Sequence, residues 1–144
     1  MSGLSELKEK VQRILAANWQ VELSRGGGFF VRGESTGCYI ECYDSEKTDW
    51  TYVHFYSFVL LDVPITDEFL RYVASSEMSF GGFIVNFSES GDKGDLLLTH
   101  TILGNYLDTE ELNLAIASVF YTADDLDDDL QDRFGGQRVI DGRE

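Results

Sequence analysis

The sequence predicts an α+β fold built on an antiparallel sheet. Three observations carry that expectation. Apolar residues recur at helical spacing in three stretches, near the start, the middle and the end of the chain. Between them lie runs that alternate in polarity and are rich in Val, Ile, Phe and Tyr, the residues that suit a pleated surface. Short polar or glycine-bearing connections join these runs, which favours hairpins over the repeated crossovers of a parallel sheet. The expected order is helix, three or four strands, helix, two strands, long helix.

Each element has a local reason. Leu4, Leu7, Val11, Ile14 and Leu15 form one apolar stripe, and Asn18 is a plausible stop. That stripe is narrow, so the first helix should lie on a surface rather than run through the core. Strands are expected over Trp19–Ser24, Phe29–Gly33, Gly37–Asp44 and Thr51–Asp62, with Gly26-Gly27-Gly28 as a turn and 44–49 as a polar loop. Thr66 is a candidate N-cap for the second helix, with Asp67 and Glu68 near the positive end of its dipole. This helix should end before Gly81-Gly82. Phe83–Ser88 and Leu96–Leu103 flank the polar turn 90–94 and read as a second hairpin. Asp108, with Glu111 three residues on, resembles a capping box. Leu112, Ile116, Val119, Ala123, Leu126 and Leu130 then continue one stripe down a long helix, which Gly135-Gly136 closes.

The chain of 144 residues, 43% of them hydrophobic, has no internal repeat or low-complexity linker. One domain over 1–144 is expected, with 137–144 as a flexible tail. Lys and Arg number 11 against 26 Asp and Glu, a net charge of −15. That balance disfavours nucleic acid and anionic membranes as partners, since both are bound through basic patches. No apolar run approaches the roughly 20 residues of a membrane span, and the first residues lack a secretion-signal pattern. A cytoplasmic location is the expectation.

Sites for chemistry are sparse. Asp124, Asp125, Asp127, Asp128, Asp129 and Asp132 form an acidic run on the last helix. Read as a calcium loop from Asp125, it places Leu130 where glycine is needed and Gly136 where the bidentate Glu belongs. Asp124 to Asp128 also has the Asp-Asp-x-x-Asp spacing of diphosphate-metal sites, but the second metal motif of such enzymes is missing. Leu126 and Leu130 continue the apolar stripe, so the carboxylates should point to solvent. Cys38 and Cys42 lie about 13 Å apart on a strand, too far for a direct bridge. The triple glycine precedes a strand and lacks the P-loop lysine. No Gly-x-Ser-x-Gly elbow is present, and His54 and His100 each sit in an alternating strand. No catalytic residue, cofactor or metal is expected.

The aromatic pattern is more informative. Val53, Phe55, Ser57, Val59 and Leu61 share one strand face, and Tyr52, His54, Tyr56 and Phe58 share the other. In the preceding strand, Cys38, Ile40 and Cys42 oppose Tyr39, Glu41 and Tyr43. One sheet face is therefore aliphatic and suits helices. The other carries tyrosines, with apolar bodies and wet tips that suit a binding surface. Tyr39, Tyr43, Tyr52, Tyr56 and Phe58 are the candidate peptide-binding set.

The carboxyl-terminal third carries Thr99-His100-Thr101-Ile102-Leu103, Ala123-Asp124-Asp125-Leu126-Asp127 and Phe134-Gly135-Gly136. With the element order, these resemble the YbjN-like family, which belongs with the class I type III secretion chaperones; cyanobacterial members are closest to the pattern. The resemblance implies a type III secretion chaperone-like fold with helices packed on an antiparallel sheet. It also implies a non-catalytic peptide- or protein-binding role and commonly a homodimer. The expected function is thus a chaperone or adaptor that captures an extended client segment on a sheet edge and the aromatic face. Phe69, Leu70 and Val73 of the second helix are candidates for the dimer interface. Two alternatives remain: a small-ligand domain with a helix gripping the sheet, or an acidic regulator (a sensory transduction regulator, as some family members are labelled) presenting its charged helix to a basic partner.

Overall fold

The computed structural model describes residues 3–142. The elements run α1 (Gly3–Asn18), β1 (Val21–Leu23), β2 (Phe29–Arg32), β3 (Gly37–Asp44), β4 (Thr51–Pro64), α2 (Asp67–Ser75), β5 (Gly82–Phe87), β6 (Lys93–Leu103) and α3 (Thr109–Phe134). A short 3-10 helix follows at Val139–Gly142. The six strands form one sheet in the order β1-β2-β3-β4-β6-β5, every neighbouring pair antiparallel. The α+β class and the element order expected from the sequence are those of the structure.

One sheet face builds the core. Phe29 and Val31, Cys38 and Ile40, Val53, Phe55 and Val59, and Leu96 and Leu98 are buried there. They join one cluster with Leu7, Val11, Ile14 and Leu15 of α1 and Leu112, Ile116, Val119, Ala123 and Leu130 of α3. The expected stripes are therefore the buried ones, except that Leu4 and Leu126 are only half-buried, and α1 lies along the sheet with its polar side outward. Burial pushes the Cys38 thiol well above its ordinary range and the Cys42 thiol up to about 11, so neither is a ready nucleophile.

Caps fix the helix ends. The Asp108 carboxylate accepts from the Glu111 N–H at 2.8 Å, and Thr66 Oγ1 accepts from the Phe69 N–H at 3.1 Å. Asp108→Ala is expected to destabilise the fold by about 1 kcal/mol, read from a shifted denaturation midpoint. The second helix stops at Ser75, before Gly81-Gly82 as expected. The Ser75 and Ser76 hydroxyls donate to the carbonyls of Arg71 and Tyr72 at 2.6 Å, satisfying groups that another helical turn would have used.

β4 departs from simple alternation. Register shifts against β6 fall between Phe58 and Leu60 and between Leu60 and Val63. Leu60 is consequently fully buried and Leu61 only half-buried, the reverse of the expected alternation. The bulged end is tied down by residues expected to be a loose tail. Leu61 and Gln137 exchange backbone hydrogen bonds, and the Ile140 N–H donates to the Ser35 carbonyl at 3.0 Å. Arg138 pairs with Asp128 and Asp141, the latter at 2.9 Å, which holds the Asp141 carboxyl down to about 2. Residues 137–142 are thus strapped across the sheet and α3, while the last two positions of the expected tail lie outside the described residues.

Candidate functional site: the aromatic sheet face

The face opposite the core carries the candidate residues in register. One row across the sheet reads Glu22, Phe30, Tyr39, Tyr56, Thr99 and Gly82. The next pairs Glu41 with His54 and His54 with Thr101, and a third pairs Tyr43 with Tyr52 and Tyr52 with Leu103. None of these aromatic side chains belongs to the core cluster. They are half-buried by one another, and Tyr43 is 43% exposed.

Ring contacts make the rows continuous. Tyr39 stacks on Tyr56 with centroids 5.0 Å apart and tilts against Phe30 at 4.7 Å. Phe58 meets both tyrosines edge-on at 6.1 Å. Tyr43 and Tyr52 form a second stacked pair at 5.8 Å, and the His54 ring lies between the pairs, 5.6 Å from Tyr56 and 6.5 Å from Tyr43. Arg32 sits over Phe30 at 5.6 Å and pairs with Glu22 at 3.4 Å.

The β1–β2 hairpin rises beside these rows and leaves a groove of about 630 Å³. Tyr39, Tyr56 and Phe58 line it, together with Phe30, Glu41 and the 22–26 segment. A smaller concavity of about 330 Å³ shares Tyr56 and Phe58 and continues to Ile84 and Asn86 on β5. The structure thus brings Tyr39, Tyr56 and Phe58 into one groove and sets Tyr43 and Tyr52 as a separate pair beyond Glu41 and His54. Phe30 and Arg32 escaped the sequence reading. Phe30 reaches the tyrosine face because it pairs with Tyr39 across the hairpin, a register that alternation along the chain does not give.

Charge on this face is sparse and specific. Desolvation holds His54 below its ordinary imidazole value, with Glu41 pulling the other way, and Nδ1 lies 2.9 Å from Thr101 Oγ1. Burial, and then the neighbouring Glu41 carboxylate, push the Tyr56 phenol up. His100 lies on the other side of the sheet, against Phe55 and Phe80, and desolvation lowers it as well. Among the described residues, no group of three or more His, Cys, Asp or Glu side chains could hold a metal ion. No described helix is long and apolar enough to cross a membrane.

Two sequence expectations change. The acidic run does not point wholly to solvent. Asp124 turns inward and caps the β2–β3 turn, accepting from the N–H groups of Glu34, Ser35 and Thr36 and from the Ser35 hydroxyl at 2.9–3.2 Å. Gly33 permits this approach, since a Cβ there would lie 2.8 Å from the Asp124 carboxylate. Asp127 is 1% exposed, and both its carboxylate oxygens lack a hydrogen-bond partner. Its position four residues after Ala123 and three before Leu130 puts it on the buried stripe, a signal already present in the sequence. The second change concerns α2. Phe69 is fully buried against Phe134, centroids 5.4 Å apart, and is a core residue rather than a surface one; Leu70 and Val73 are half-buried beside it.

Comparisons with known proteins address the same architecture. A search of curated protein sequences gave no match. Among solved structures, a chain in the crystal structure of the ExsC–ExsE complex superposes with a TM-score of 0.59 at 15% identity, over 89% of this chain and 96% of that one. At that identity the likeness speaks for the fold. Residues 5–142 match the family model TY-Chap1, described as type III secretion system (YopN, CesT) and YbjN peptide-binding chaperone 1. With the match covering nearly the whole chain, the protein belongs to this family of peptide-binding chaperones.

Proposed function

We propose that the aromatic sheet face captures an extended segment of a client protein, with Tyr39, Tyr56 and Phe58 as its central contact and Tyr43 and Tyr52 extending it. The observation that carries this reading is the continuous ring ladder outside the core, bordered by a groove of about 630 Å³. Packed aromatic rings expose much apolar area at little cost in side-chain entropy, because their neighbours already hold their rotamers. A solvated face of this kind gains most when a partner covers it. The sheet edges differ in what they add. β1 offers three residues and β5 six, so β5 is the longer template for main-chain pairing, next to the exposed Ile84.

The test is affinity capture from native lysate with wild type, Tyr56→Asp and Tyr121→Asp, the last on an exposed α3 tyrosine. Proteins retained by wild type and Tyr121→Asp should fall at least about tenfold with Tyr56→Asp, because a carboxylate would be desolvated beneath the client. Circular dichroism of the variants checks folding. Clients held equally by both variants, and released by moderate salt, would instead favour the acidic helix as the contact.

A further inference from the structure

Glu41 is a carboxylate standing between the two stacked tyrosine pairs. It flanks Tyr39 and Tyr43 at alternate positions on β3 and faces His54 directly across on β4. It is half-buried, lines the groove and forms no ion pair among the described residues. Two arginines line the groove: Arg32 is taken up by Glu22 and Phe30, and Arg25 forms no ion pair among the described residues. His54 offers little compensation near neutral pH, since desolvation keeps its ring toward the neutral form. The Tyr56 hydroxyl is the neutral donor beside it, so a client that covered this face with apolar groups alone would take the Glu41 charge out of water with no cation to pair it, which is unfavourable. A client cation placed there would meet the carboxylate between the two stacked tyrosine pairs.

We infer that the Glu41 carboxylate, set among Tyr39, Tyr43, Tyr52, Tyr56 and His54, is a recognition pocket for an arginine or lysine side chain of the client. This rests on the reading that the aromatic face is the client site. The spacing refines it. Alternate residues of an extended strand are about 6.5–7 Å apart, the same repeat that separates Tyr39, Glu41 and Tyr43 along β3. The matching client segment has the pattern apolar-x-basic-x-apolar, its apolar residues resting on the two stacked pairs. The net charge of −15 draws such a segment in at long range.

The test uses the full chain and the peptide acetyl-Val-Thr-Arg-Thr-Val-amide, with citrulline or Glu in place of Arg in two companions. Citrulline keeps the planar shape and loses the charge. Binding is followed by chemical-shift changes at the tyrosine and His54 rings. The Arg peptide should bind about tenfold more tightly than the citrulline peptide, and the Glu peptide more weakly than either. In Glu41→Gln, which keeps the side-chain shape, the preference for Arg over citrulline should disappear. Equal binding of Arg and citrulline peptides on these rings would overturn the cation pocket and leave the aromatic client site standing. Failure of all three peptides to shift these rings would overturn both.

Discussion

Phe69→Ala is expected to destabilise the protein by about 3–5 kcal/mol, the range for removing a fully buried phenyl ring. Phe69 is 0% exposed and meets Phe134 edge-on. Tyr72 packs on the same Phe134 ring at 5.3 Å and on Phe83 of β5 at 5.9 Å, and the Arg133 guanidinium lies 4.8 Å from both Tyr72 and Phe134. The cluster locks α2 onto the end of α3 and the β5 edge, so the cavity would open at a junction of three elements. Denaturant unfolding gives the loss, and Leu70→Ala or Val73→Ala, each half-buried, should cost less. Sedimentation of the same variants separates packing from assembly. A Phe69→Ala protein as stable as wild type but altered in oligomeric state would place this ring at a subunit interface.

Asp127→Asn should stabilise the protein at neutral pH, because it removes a buried charge while keeping the side-chain shape. Both Asp127 oxygens are buried without a hydrogen-bond partner, and the Ser35 hydroxyl donates to Asp124 instead. Burial raises its carboxyl above the ordinary value of 3.8, neighbouring Asp128 and Asp124 push the same way, and Ser35 and Arg138 oppose them. The sign follows by linkage. The folded state binds the proton more tightly than the unfolded chain, so this group's contribution is fully present below about 3.8. It is lost as pH rises through the raised folded value and stays lost above it. The advantage of Asp127→Asn should therefore be small in acid, grow through mild acidity and level off toward neutrality. A thermal melt series would show it as an increase in melting temperature of a few degrees at pH 7.5. An advantage that shrank as pH rose would mean that the carboxylate is favourably paired when ionised.

Both predictions concern residues whose roles the sequence signalled incompletely. Alternation in β3 and β4 was enough to separate the aliphatic face from the aromatic one, because side chains on a strand point to opposite sides in strict turn. It was not enough past Phe58, where the bulges move Leu60 inward. The long stripe of α3 was legible from its steps of three and four, as were both caps. What periodicity could not reveal was that a residue flanking the stripe would be covered by distant chain. Asp124 bonds to residues 34–36, some ninety positions away.

The amino-acid sequence by itself determined the α+β class, the order of the elements and the identity of the two sheet faces. These are local properties, set by side-chain period, capping and turn chemistry within a few residues. Only the tertiary structure decided that Tyr39, Tyr56 and Phe58 share a groove with the β1–β2 hairpin, that Glu41 stands among the rings, and that Phe69 closes a core junction. Strand order, register and bulges arise from contacts between segments far apart in the chain, and no local pattern encodes which partner a half-buried side chain will meet.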